Sequence, residues 1–79
     1  MEAVKWLRKA AEQGETRAQS LLGAGYLAGL GLPQDYMLAY MWLNLAASKE
    51  SGTTREETAA LRDKAAAKLT PGQLLERNR

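Results

Sequence analysis

The side chains of this sequence best suited to proton transfer are carboxylates, because the 79-residue chain contains neither histidine nor cysteine. General acid–base work by carboxylates needs a pair held in a pocket with separated pKa values. Glu12, Glu15, Asp35, Glu56, Glu57 and Asp63 each have a simpler reading, as helix caps or as members of solvated faces. Asp35 stands apart because it follows the glycine turn GLGLPQ, and there it reads as the N-cap of the next helix. No serine sits in a nucleophile-elbow sequence. No catalytic residue is therefore assigned, and the expected class is non-enzymatic. Without His or Cys the usual zinc ligands are missing, so no metal site is assigned either.

One stretch invites a cofactor reading. GAGYLAG, residues 23–29, is similar to a dinucleotide-binding fingerprint. That motif needs Gly-x-Gly-x-x-Gly directly after a strand. Here Ala28 stands at the third glycine position and the preceding residues are helical in pattern, so no cofactor is expected. The Gly25–Gly29 spacing also occurs where membrane helices pair. In a short helix with polar flanks it reads as close packing between soluble helices.

Composition narrows the partners. The net charge is +2. Through residue 40 the signs cancel, Lys5, Arg8, Lys9 and Arg17 against Glu2, Glu12, Glu15 and Asp35. The later excess (Arg62, Lys64, Lys68, Arg77, Arg79) is interrupted by Asp63 and Glu76, whereas a nucleic-acid binder clusters its charge on one face. No nucleic-acid partner is expected. The longest uncharged run, between Arg17 and Asp35, carries Gly23, Gly25, Gly29, Gly31 and Pro33, and is too short and too weakly apolar to span a bilayer. Residues 2–9 hold four charges and no apolar core of a signal peptide. The compartment stays open between cytoplasm and periplasm. A chain this small buries only about 60% of the surface its unfolded form exposes, so good helix packing or association with more protein must supply its stability.

Four main helices must position all of these residues. The first covers 2–13, with Ala3, Trp6, Leu7, Ala10 and Ala11 on one face and Gly14 as the stop. The second covers 16–29, with Ala18, Leu21, Leu22, Gly25, Tyr26 and Gly29 as its stripe and Gly23 allowing a close approach on another face. The third, 36–49, is apolar nearly all round, so it is expected at the centre of the structure. Gly52 ends that unit. Thr54-Arg55-Glu56-Glu57 then has the form of a capping box that opens a fourth helix, with Thr58, Leu61, Ala65 and Leu69 facing inward. Thr70-Pro71-Gly72-Gln73 has the form of a second box before a short helix, 71–77.

The chain also repeats itself. AVKWLRKAA (3–11) returns as AYMWLNLAA (39–47) at an offset of 36, carrying Trp6 to Trp42 and Ala11 to Ala47. Recurrence at a period of roughly 20–50 residues marks stacked helical units. The two Trp-and-Ala helices are expected to lie side by side, and the five aromatics to belong mainly to the core. The polar face of the first copy turns partly apolar in the second, as Lys5 becomes Met41 and Lys9 becomes Leu45. Leu38, Met41 and Leu45 must then be covered, by the C-terminal helices or by another chain. The first helix poses a related problem, because part of its Trp6 and Leu7 surface lacks a neighbour. A homodimer or higher assembly is one expected answer.

The order of these residues resembles the Sel1-like repeat, a relative of the tetratricopeptide repeat. The resemblance rests on Trp6, Ala10 and Gly14, then Ala18-Gln19, Leu22-Gly23, Tyr26, Gly29, Gly31, Asp35, Ala39, Trp42 and Ala46. It is dense over residues 3–52 and fades after Thr53. It implies an all-α superhelix of helical hairpins, here one and a half units with a cap. Residues 1–14 would be the second helix of one repeat, 15–52 a complete repeat, and 53–79 capping helices. It further implies a non-catalytic adaptor or scaffold that binds another protein, in the manner of bacterial members of the family. Two alternatives stand beside that reading, a capping segment with no partner of its own and an inhibitor or immunity-type binder of an enzyme. By analogy with related solenoids, Thr16, Ser20 and Leu27 would line the concave side. The candidate partner contacts are thus Leu27, Leu38, Met41 and Leu45.

Overall fold

Glycine and one aspartate decide where the chain turns. In the computed structural model, which describes residues 2–69, four helices follow one another: α1 (Glu2–Glu12), α2 (Thr16–Ala28), α3 (Tyr36–Lys49) and α4 (Gly52–Ala67). No strand occurs among the described residues. The short helix expected over 71–77, and the box before it, lie outside them.

After α1 the chain closes in a Schellman turn. Gly14 adopts φ +94°, a conformation costly for any residue with a Cβ. Its N–H donates to the Ala11 carbonyl (3.0 Å), and the Glu15 N–H donates to the Ala10 carbonyl (3.1 Å). The end of α2 is satisfied differently. Gly25 O accepts from Gly29 and Leu30, Tyr26 O accepts from the Asp35 N–H, and Leu27 O accepts from the Gln34 amide. These bonds hold the GLGLPQ segment against α2 and bring Asp35 to the start of α3. There its carboxylate accepts the Leu38 N–H at 3.0 Å. Glu15 does the same for α2, accepting from Arg17 N (2.9 Å) and Ala18 N (3.2 Å).

The capping box expected at Thr54 does not form. Ser51 is the N-cap residue of α4, with no side-chain cap bond, and Thr54 lies inside the helix. Gly52, at φ +62°, turns the chain into the helix two residues before Thr54 could act as a cap.

Packing runs in series: α1 on α2, α2 on α3, α3 on α4, with α4 also touching α2. The two Trp-and-Ala helices therefore do not lie side by side; α2 stands between them and joins both to one core. That core comprises Ala11, Ala18, Leu22, Tyr26, Ala39, Leu43 and Ala65. Its tightest approach is at Gly23, where an added Cβ would stand 2.7 Å from Leu43 Cγ and 3.1 Å from the Leu43 backbone nitrogen. The absence of a side chain at that position is what lets α2 lie directly on α3.

The stripe expected on α2 is rotated. Leu21 is 48% exposed, and Gln19 is buried in its stead. The Gln19 amide donates to the Ala11 carbonyl at 3.0 Å, tying α2 to the end of α1. Gly25 serves no helix–helix approach, because a Cβ added there would meet Leu32 Cδ1 of the following turn at 3.3 Å. Among the aromatics, Tyr26 is buried, while Tyr36, Tyr40 and Trp42 are half-buried. Trp6 departs from the core expectation altogether, being 68% exposed.

Candidate functional site

α2 and α4 form the two parallel walls of a groove. At one end Thr16 and Ser20 of α2 face Thr54 and Glu57 of α4, around a cleft of about 520 Å³. At the other end Leu27 and Leu30 face Lys64 and Lys68, around a cleft of about 440 Å³. Ala24 and Leu61 line both clefts, so the two are halves of one groove. α3 runs antiparallel beneath. Tyr36, its first residue, sits at the second end, and Lys49 with Glu50 at the first.

The halves differ in chemistry. The first is polar and mixed in sign, with Arg17 and Lys49 against Glu50 and Glu57. Lys49 is engaged there, donating to the Gly14 carbonyl at 3.3 Å. One Glu50 carboxylate oxygen is buried without a hydrogen-bond partner among the described residues. The second half is apolar, built from Leu27, Leu30, Tyr36 and Leu61. The charged residues on its lining are Lys64 and Lys68, and none of its described lining residues is acidic.

Of the four candidate contacts, Leu27 alone lines the groove. Leu38, Met41 and Leu45 line neither half. Leu38 and Met41 are half-buried, Leu38 packing against the core, and Leu45 remains 39% exposed. The described part of the chain covers this strip only partly. A cation-rich cleft also runs along α1, lined by Val4, Lys5, Arg8, Lys9 and Glu12. Arg8 there is turned toward α2, donating to the Tyr26 hydroxyl at 3.0 Å. Among the described residues no three acidic side chains gather closely enough to hold a metal ion.

Among the groove residues that the sequence reading missed are Leu30, Tyr36, Leu61, Lys64 and Lys68. Their signal was faint. Lys64 and Lys68 form an i, i+4 pair on one helical face, and Leu61 precedes that pair by one turn, so the three share a face.

Paired helices stacked in series, with alternate helices forming one wall each of a concave face, are the architecture of a helical repeat protein. The model of the Sel1 repeat matches residues 1–15 and 16–51, more than half of the chain. The chain belongs to the Sel1 repeat family. No curated protein and no solved structure gives a match. Sel1 repeats are in general protein-interaction modules and typically non-catalytic. Of the two Sel1 segments, the first ends on Glu15, the cap of α2, and the second on Ser51, the N-cap residue of α4. Both boundaries thus fall at turns. No helix among the described residues is long and apolar enough to cross a membrane.

Proposed function

We propose that this chain is a non-catalytic interaction module, an adaptor or scaffold that holds a segment of another protein in the groove between α2 and α4. In this reading α1 is the second helix of one repeat, residues 15–52 are a complete repeat, and residues 53–79 form the cap whose first helix supplies the second wall. The observation that carries the proposal is the groove itself, with Leu30 72% exposed at its rim. Concave, partly apolar surfaces with a few placed polar groups are where solenoids and ligand sites bind.

A block in the middle of the groove tests it. Ala24 is half-buried and lines both halves. Ala24→Trp is expected to fill the groove, and it replaces no residue of the core. Peptides selected from a displayed random library on the full chain are expected to lose affinity for Ala24→Trp and to keep it for Lys5→Glu on α1. Fluorescence anisotropy gives the affinities, and circular dichroism confirms that both variants are folded. Binders indifferent to Ala24→Trp would show that the groove is not the site.

A second reading is favoured by one observation, the exposure of Trp6. In it the outer face of α1 accepts a further helix, from another repeat or a second copy of this chain, and the module is an assembly element.

A further inference from the structure

We infer that the groove selects an acidic peptide, one that sets an apolar side chain between Leu27 and Leu61 and a carboxylate against Lys64 and Lys68. This rests on the groove being the binding site, as proposed above, and adds what it binds.

The argument is one of charge against position. Lys64, in the last turn of α4, and Lys68, its C-cap residue, stand one turn apart at the rim of the apolar half. Both are exposed, so they are available to a ligand. Among the described residues neither has an ion-pair partner, whereas Arg62, on the neighbouring face, is bound to Asp63 at 3.1 Å. An apolar cleft bordered by one sign of charge focuses the field of that charge and attracts the opposite one. The polar half offers an acid no such gain. Arg17 and Lys49 there are balanced by Glu50 and Glu57, and Lys49 is already turned to a backbone carbonyl. The apolar half therefore orients a ligand: carboxylate toward Lys64 and Lys68, and an apolar side chain between Leu27 and Leu61.

The test is a charge swap read on selected peptides. Random peptides displayed on phage and selected on the full chain are expected to be enriched in an apolar residue close to Asp or Glu. The double variant Lys64→Glu, Lys68→Glu should bind such a peptide roughly tenfold more weakly, the scale that two exposed ion pairs supply. Replacing the peptide's acid by lysine should restore binding to the double variant and weaken it to the parent. Parent binding should fall as salt rises, because exposed pairs are screened. Peptides that need the groove, by their loss on Ala24→Trp, yet show no acidic enrichment and no response to the swap overturn this inference and leave the interaction reading standing. Peptides indifferent to Ala24→Trp overturn both.

Discussion

α1 and α3 carry the same side chains at equivalent positions, and the structure treats them differently. Ala39, Leu43 and Ala46 of α3 are fully buried, and Trp42 is half-buried. Their counterparts on α1 are Ala3, exposed; Leu7 and Ala10, half-buried; and Trp6, largely exposed. The sequence motif is constant, so burial here is a property of the neighbours. α3 has α2 on one side and α4 on the other, whereas α1 packs extensively against α2 only. A helical repeat cannot enclose its own apolar face, and each unit is completed by the next. The described residues show one repeat helix packed closely on both sides and one packed closely on a single side, in the same molecule.

The leucine pair gives the largest expected difference. Leu43→Ala should cost about 2–5 kcal/mol, because a fully enclosed side chain is removed and Gly23 leaves nothing to fill the space. That is a large share of the stability of a small domain, roughly 5 kcal/mol at the low end. Leu7→Ala should cost ~1 kcal/mol, since part of Leu7 is already in water. Chemical denaturation of both variants measures the gap. Equal losses would mean that α1 is as enclosed as α3, and the comparison would fail.

Much of the fold was legible because its signals are local. Gly14 stops α1, Asp35 starts α3, and Tyr36–Lys49 follows from the apolar run between a cap and a polar turn. The repeat offset pointed to stacked helical hairpins. What was not legible depends on through-space neighbours. Periodicity of the shared Ala, Trp and Leu positions cannot tell a half-buried Trp42 from an open Trp6, because those positions are the same in both copies. Periodicity also placed Leu21 inward and left Gln19 off the stripe, yet the Ala11 carbonyl at the end of α1, which also accepts from the Gly14 N–H, takes the Gln19 amide in the core. The groove was half legible. Leu27 was read onto the concave side, but Lys64 and Lys68 were read as solvated charge. Only the pairing of α4 with α2 sets them beside an apolar cleft.

The tryptophan pair separates enclosure from assembly. Trp42→Ala should cost about 2 kcal/mol, below the ~3–5 kcal/mol of a fully enclosed tryptophan. Trp6→Ala should cost under ~1 kcal/mol, because the ring is mostly in water already. If the open face of α1 takes a second copy, sedimentation of the parent chain will show mass rising with concentration, and Trp6→Ala will abolish that rise. A parent chain that stays monomeric at high concentration would remove the copy from the second reading and leave a different repeat as the occupant.

The smallest effect concerns helix starts, where α3 and α4 differ as α1 and α3 do in burial. Asp35 and Thr54 both carry side chains able to cap, and both stand near the first turn of a helix. Asp35 precedes α3 and its carboxylate accepts the Leu38 N–H. Thr54 falls two residues inside α4, whose N-cap residue is Ser51. Asp35→Ala should therefore cost ~1 kcal/mol. Thr54→Ala should stay within about 0.5 kcal/mol of the parent, as surface substitutions do, and a slight gain is expected because alanine is the better helix former. Thermal or urea melts of the two variants suffice. A loss at Thr54 comparable to that at Asp35 would mean that α4 begins at Thr54 after all. Gly52 and Thr53 would then belong to the turn, and the polar end of the groove would lose Thr54 from its wall.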